Sequence, residues 1–301
     1  MTPKTKLIPM LEALFAVLVW GGSFIATKIA LQEASPVTLV WLRFAMGIPV
    51  IGAAVFLRRQ FALPRGREWG YFALLGFLGI AFHQWLQSNG LQTSRASTTA
   101  WIVATSPVFI AILGWLALKE SLRLAQSAGI LLAMAGVLLV VSNGDLSSLS
   151  LGRFGAPGDI LILVSAFNWA VFSILSRHGL KNHPATRMMF WVMLLGWWMI
   201  TVIFLPSGGL VEIANFSTRS WASLIYLGIF TSGLTYIAWY DALQSLPAAQ
   251  TGAFLYLEPP VSVIVAALLL GEPITLAALL GGAIILFGVW LVTTDKWEKR
   301  K

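Results

Sequence analysis

The apolar residues of this chain are gathered into long runs that short polar stretches separate. Each run has about the 20 residues that a helix needs to cross the hydrocarbon core of a bilayer. A membrane β-barrel would instead show shorter strands in which apolar and polar residues alternate. The pattern therefore predicts an all-α polytopic membrane protein with ten transmembrane helices, at 8–30, 36–57, 69–91, 96–118, 124–142, 158–179, 185–205, 219–242, 248–270 and 275–294.

The composition agrees with this prediction and removes other classes of protein. Of 301 residues, 58% are hydrophobic and 11% are charged, which is too little polar surface to cover a soluble globule. The net charge of +8 does not indicate a nucleic-acid partner, because the basic residues form short clusters between apolar runs, as cytoplasmic loops do. There is no cysteine, and we expect neither a cofactor nor a metal site. We expect a multi-pass protein of the cell's inner (plasma) membrane.

Two similar halves follow one another along the chain. The shared spacing predicts a duplication into a first five-helix repeat, residues 1–150, and a second, residues 151–301. The connection between them, 142–157, is rich in Gly, Ser and Asp. Six pairs lie 152 residues apart and two lie 149 apart: Leu91 with Leu243, Ala96 with Ala248, Pro107 with Pro259, Glu120 with Glu272, Gly129 with Gly281 and Gly136 with Gly288, then Trp20 with Trp169 and Lys28 with Arg177.

An odd number of helices in each repeat requires the second repeat to enter the membrane from the opposite side. The loop charges agree with such an inversion. The loop after the first helix has no Lys or Arg between Ile29 and Leu42, whereas its counterpart has Arg177, Lys181 and Arg187. With both termini cytoplasmic, fifteen of the twenty Lys and Arg residues lie on the cytoplasmic side, as the positive-inside rule demands.

A motif occurs twice: a proline, an apolar run and Leu-(Gly or Lys)-Glu, followed by a last helix with spaced glycines. Together with WLRF at Trp41 to Phe44, it resembles the ten-helix EamA-type branch of the drug/metabolite transporter superfamily over nearly the whole chain. The resemblance implies a basket whose central cavity is lined by helices 1, 3, 4, 6, 8 and 9, with 5 and 10 completing the far wall. The aromatic content is similar to that of aromatic amino acid exporters within this branch.

Polar and aromatic residues inside the helices select a similar lining. Aromatic walls with scattered amides and hydroxyls suit flat, partly apolar solutes, and no cluster of Lys or Arg is present to hold a phosphorylated one. Small polar residues in membrane helices also serve packing, so each candidate has a structural alternative. The predicted substrate-binding residues are Trp20, His83, Gln87, Trp101, Asn168, Trp169, Tyr236, Tyr240 and Phe254.

Glu258 lies near the midpoint of the ninth run, and Pro259 and Pro260 follow it. The prolines withhold backbone donors and predict a break in the helix. An ionisable group at this depth costs several kcal/mol unless it faces a cavity or a partner. Glu258 could form a structural ion pair with Arg43 that braces the break, or it could carry a proton, as could His83.

These features favour a monomeric exporter of aromatic amino acids (Trp, Phe, Tyr) or related amphiphiles that works by alternating access. A proton-coupled multidrug or organic-cation exporter and a passive metabolite facilitator remain alternatives. An enzyme is not indicated. Tyr240-Asp241 lacks the Gly-x-Gly-Asp partner of an intramembrane aspartyl protease, and there is no phosphate-binding P-loop.

Overall fold

The computed structural model describes residues 3–118, 124–145, 155–246, 251–252 and 254–294. This part of the chain is helical and contains no strand. The main helices, numbered in chain order, are α1 (Pro3–Ala30), α2 (Pro36–Leu57), α3 (Glu68–Gly76, Phe77–Phe82 and His83–Thr93), α4 (Ala96–Val103 and Ser106–Leu118), α5 (Leu124–Val141), α6 (Pro157–Asn182), α7 (Ala185–Phe204), α8 (Thr218–Ile225, Tyr226–Leu234 and Thr235–Ser245), α9 (Leu255–Leu257 and Glu258–Leu270) and α10 (Leu276–Thr294).

Eight helical segments among these residues are long and apolar enough to cross a membrane. They belong to α1, α2, α4, α5, α6, α7, α8 and α10, while Leu255–Leu270 is a shorter apolar helix. A crossing by all ten helices therefore stays a prediction, as do the inversion of the repeats and the side on which the termini lie. The motif residues Lys119 and Glu120 and the basic residues of the C-terminal tail lie outside the described residues.

Helices α3 and α8 both widen into a π-helix in their middle. The π-helix of α3 covers Phe77–Phe82 and that of α8 covers Tyr226–Leu234, so the two begin 149 residues apart. The second is nine residues long and the first six. The spacing between matching residues rises from 149 to 152 across this region. Three additional residues are thus absorbed where the helix is wound more loosely, as π-bulges commonly do.

Helices α4 and α9 are both interrupted just before a proline. In α4 a turn at 104–105 precedes Pro107, and in α9 a 3₁₀ turn, Leu255–Leu257, precedes Pro259. The predicted break at Glu258 is therefore present, and the second part of α9 begins at that residue. In α4 the hydroxyls of Thr105 and Ser106 donate to the carbonyls of Ile102 and Val103 at 2.6 and 2.7 Å. Side-chain hydroxyls thus add hydrogen bonds to the backbone at the interruption.

Helices α5 and α10 form one packed pair, and helices α2 and α7 form another. Helices α5 and α10 meet through glycines: a Cβ at Gly129 would lie 2.6 Å from the Gly288 carbonyl, and one at Gly136 would lie 2.7 Å from that of Gly281. Small residues let membrane helices approach this closely. Helix α2 packs against α7, where the Trp197 indole donates to the Trp41 carbonyl at 3.0 Å.

The remaining helices follow one another around the centre of the molecule in the order α8, α1, α9, α4, α6 and α3. Helix α2 contacts both α8 and α3 and so bridges the two ends of this series. The first part of α4 packs against the second part of α9, whereas the second part of α4 packs against α6 and α10. Where α4 and α9 meet, the Glu272 carboxylate accepts hydrogen bonds from the backbone N–H groups of Ala96 and Ser97 at 2.8 and 3.1 Å. This carboxylate caps the start of α4.

Candidate functional site

Aromatic side chains from α1 and α8 pack together on the inner face of the bundle. The Trp20 ring meets Tyr236 edge to face at 5.9 Å and Trp239 at 5.2 Å between centroids. One turn further along α8, Tyr240 lies 6.2 Å from Tyr236. Both tyrosines are buried, at 4% and 7% exposed, and neither hydroxyl has a hydrogen-bond partner among the described residues. These hydroxyls are free to bind a polar solute.

His83 of α3 and Trp169 of α6 form the opposite part of the same apolar cluster. Their ring centroids are 5.0 Å apart, and Phe172 lies 5.0 Å from Trp169 on the same helix. The Nδ1 atom of His83 is 3.2 Å from the Ser165 carbonyl oxygen. A carbonyl oxygen can only accept, so Nδ1 carries the hydrogen, and the neutral imidazole keeps an acceptor at Nε2. One turn along α3, the amide of Gln87 is 9% exposed and has no partner in the described part of the chain.

Two of the predicted site residues have a structural contact instead. The amide of Asn168 donates to the Leu78 carbonyl at 2.7 Å, inside the π-helix of α3. The structure does not bring Trp101, which was also predicted to line the cavity, next to Trp20 or Trp169. Its ring is 4% exposed and lies against Gly282 of α10, in a second apolar cluster separate from that of Trp20 and Trp169.

The predicted ion pair between Arg43 and Glu258 is not formed. Arg43 Nε donates to Ser232 Oγ at 2.7 Å and Nη1 donates to Gln84 Oε1 at 2.9 Å, so the guanidinium is turned toward α8 and α3. Glu258 begins the second part of α9, where the positive end of the helix dipole favours a carboxylate. It is partly exposed and has no hydrogen-bond or ionic partner among the described residues. Phe254, one turn earlier, is half-buried.

Ser232, which holds Arg43, and Trp239, which contacts Trp20, were not among the site residues predicted from the sequence. Ser232 sits in an apolar stretch of α8 and carries no signal, because a small polar residue there resembles ordinary helix packing. Trp239 lies three residues after Tyr236, and this helical spacing could have revealed it.

Two cavities lie away from the aromatic cluster: one of about 450 Å³ beside Glu33 and Glu212, and one of about 220 Å³ beside Asp159. Within the described residues no three His, Asp or Glu side chains converge as metal ligands would.

The sequence profile of the EamA-like transporter family matches residues 7–142 and 156–294. The chain belongs to this family. This EamA-like protein is therefore a transporter of the drug/metabolite transporter superfamily and not an enzyme, and it is a multi-pass protein of the plasma membrane.

Several curated relatives are similar over almost their full length. An uncharacterized transporter of Archaeoglobus fulgidus is 32% identical over 99% of this chain and 100% of its own. A probable amino-acid metabolite efflux pump of Salmonella typhimurium is 29% identical over 93% and 92%. A probable terminal-alkyne amino-acid exporter of Streptantibioticus cattleyicolor is 27% identical over 95% and 93%. A crystal structure that aligns over all of both chains, at a TM-score of 0.67 and 21% identity, shares the fold.

Proposed function

We propose that this EamA-like transporter exports amino acids and favours those with aromatic side chains, namely Trp, Phe and Tyr, or related amphiphiles. One observation carries the proposal: polar groups that have no hydrogen-bond partner among the described residues lie beside aromatic rings that contact one another. The groups are the hydroxyls of Tyr236 and Tyr240, within the aromatic cluster, and the Gln87 amide, one turn along α3 from His83. The hydrogen-bonding capacity of these groups is not used within the described part of the protein, so a polar solute can bind to it.

The substrate's ring would pack between the aromatic groups of the two sides, Trp20 and Trp169, because aromatic pairs gain from edge and offset stacking. Its polar end would bind Gln87, Tyr240 and the Nε2 acceptor of His83. The names of two relatives, a probable amino-acid exporter and a probable amino-acid metabolite efflux pump, support an amino-acid substrate.

Transport would proceed by alternating access, with ten helices in two inverted repeats, residues 1–150 and 151–301, rocking about this site in a monomer. The two segments that the family profile matches support the duplication. With cytoplasmic termini, the end at which Glu272 caps α4 would face outward, and the contact of α4 with α9 at that end supports a pathway closed to the outside. The opposite ends of α4 and α9 would then admit substrate from the cytoplasm.

Uptake into liposomes that contain the purified transporter tests the proposal. Labelled tryptophan and phenylalanine are compared with alanine and a lipophilic cation, each with and without a pH gradient. Saturable uptake of the aromatic amino acids, with competition by unlabelled tryptophan, is the expected result. Equal uptake of alanine would remove the aromatic preference, and no uptake of any amino acid would overturn the substrate class.

A proton-coupled exporter of organic cations is a second candidate function. The unpaired carboxylate of Glu258 favours it, because such a group can exchange a proton for a cationic substrate. In this case only the lipophilic cation moves, it moves only against a proton gradient, and Glu258→Gln abolishes the coupling. Uptake that is saturable but indifferent to the gradient in both the wild type and Glu258→Gln would identify a passive facilitator.

A further inference from the structure

The guanidinium of Arg43 is held in one orientation at the junction of α2, α3 and α8. Its Nε donates to Ser232 Oγ at 2.7 Å, and its Nη1 donates to Gln84 Oε1 at 2.9 Å. The side chain is 6% exposed, and its Cζ lies 5.6 Å from the centroid of the Phe44 ring. Two neutral hydrogen-bond acceptors on different helices thus position this cation.

Neither of these partners neutralises the charge. No Asp or Glu in the described part of the chain lies within ion-pair distance of Arg43, and its Nη2 has no hydrogen-bond partner there. A buried cation inside a membrane protein is costly unless it is paired or faces a water-filled cavity, and such residues usually mark a binding site. The structure therefore has a positioned cation that lacks its anion.

The two side chains that hold Arg43 lie on helices that also carry residues of the proposed substrate site. Gln84, which holds the guanidinium, is next in sequence to His83, and Ser232 lies one turn before Tyr236 on α8. The Gln87 amide, three residues after Gln84, is 9% exposed and unpartnered among the described residues. An anion bound at Nη2 would lie beside groups that can bind the rest of a polar headgroup.

We propose that Arg43 binds the α-carboxylate of the transported amino acid. The N–H groups of Nη2 and the second N–H of Nη1 would donate to the carboxylate, with the geometry that a guanidinium offers and an ammonium lacks. The lone pair of His83 Nε2 would accept from the substrate's ammonium group. This inference rests on the proposed function for the amino-acid substrate, and it adds that a carboxylate is required for recognition.

The experiment compares Arg43→Gln, Arg43→Lys and wild type in liposomes, with the exposed Arg177→Gln as a control for the loss of one positive charge. Competition against labelled tryptophan uses tryptamine, which lacks the carboxylate, and indole-3-acetate, which lacks the ammonium group. Calorimetric titration of both compounds into detergent-solubilised protein measures binding without transport. Loss of a charged hydrogen bond predicts a rise of about 10- to 100-fold in the apparent KM for tryptophan in Arg43→Gln. Arg177→Gln should match wild type.

Two results would support the assignment: wild type binds indole-3-acetate better than tryptamine, and Arg43→Gln loses this preference. Arg43→Lys should recover only part of the affinity, because it restores the charge without the planar donors. If tryptamine competes as well as tryptophan in wild type, the assignment is overturned. This test needs no variant, so it does not depend on whether a variant folds. Tryptophan transport that Arg43→Gln leaves unchanged overturns the assignment and leaves the proposed function standing. Arg43-dependent binding of indole-3-acetate without transport of any amino acid would overturn the proposed function and support Arg43 as a carboxylate-binding residue.

Discussion

The two segments that the family profile matches share their backbone irregularities but not the charged residues Arg43 and Glu258. Both contain a π-helix, in α3 and α8, and both contain an interrupted helix followed by proline, in α4 and α9. Glu258, however, corresponds to Ser106 at the spacing of 152, and Arg43 corresponds to Val192 at the spacing of 149. Each charged group of the central region thus belongs to one segment only.

This difference separates the repeated backbone architecture from the residues proposed to bind the substrate. Irregular backbone is tolerated in a membrane only where protein or water satisfies it, so a shape that appears in both segments serves the architecture. A substrate with distinct ends needs distinct groups around it, so the charges need not be repeated. An asymmetric site is therefore built on a repeated scaffold. Four predictions test this comparison, beginning with the largest expected effect.

Replacement of Gly136 by alanine should disrupt the repeated glycine contact between α5 and α10. The added Cβ would lie 2.7 Å from the Gly281 carbonyl, so the helices must separate. We expect a loss of about 1–3 kcal/mol in the free energy of unfolding, measured in detergent. Gly70 is the matched control, because a Cβ there meets nothing within 4 Å. If Gly70→Ala is as destabilising as Gly136→Ala, close helix approach is not the cause.

The cap that Glu272 provides for α4 should contribute more to stability than the hydrogen bond that Glu212 accepts from Ser35. Glu272 accepts from two backbone N–H groups and from the Ser97 hydroxyl at 2.5 Å, whereas Glu212 accepts, within the described part of the chain, one hydrogen bond, from the Ser35 N–H at 2.9 Å. Glu272→Gln should lose about 1–2 kcal/mol in stability, as the loss of a helix cap does, and Glu212→Gln less. Because this contact joins α4 to α9, Glu272→Gln should also change the transport rate. An unchanged transport rate would show that this contact between α4 and α9 does not limit transport.

Trp169 and Trp101 should respond differently to phenylalanine. Trp169 contacts His83, whereas Trp101 packs against Gly282 in the other cluster. We expect Trp169→Phe to raise the KM for tryptophan several-fold, since an aromatic pair contributes about 0.5–1.5 kcal/mol. Trp101→Phe should lower the unfolding temperature and leave KM unchanged. A larger rise in KM for Trp101→Phe than for Trp169→Phe would indicate that Trp101 lines the cavity.

The smallest effect concerns Glu33, an exposed residue in the loop after α1. Its carboxylate accepts from the Ser217 N–H at 2.7 Å, and this bond lowers the pKa of Glu33 below its ordinary value of 4.5. A depressed carboxyl pKa contributes stability above the unfolded-state pKa, and this contribution disappears as pH falls through the folded-state pKa. Glu33→Gln should therefore be slightly less stable than wild type at neutral pH, and the gap should close below pH 4.5. The gap between wild type and Arg177→Gln should not change over that range.

The sequence predicted candidate site residues but not their contacts, and the role of these residues in substrate binding stays a prediction. Trp169, Trp20 and Tyr236 belong to one apolar cluster, and the His83 ring contacts Trp169. Opposite charge suggested Glu258 as one possible partner of Arg43, but neutral Ser232 and Gln84 hold the guanidinium. The sequence did not indicate that the Asn168 amide donates to the Leu78 carbonyl, because the two residues lie on different helices, 90 residues apart.

By itself the sequence determined the long apolar helices, the family and the repeated spacing. The thickness of the bilayer relates the length of an apolar run to a spanning helix, and the family and the repeat are patterns of residues that can be compared without a structure. Only the tertiary structure decided the direction of each side chain across the bundle, which turned Trp101 toward Gly282 and Arg43 toward α3 and α8. Such directions depend on the space and the hydrogen-bond acceptors that neighbouring helices offer, and residues far apart in the chain supply both.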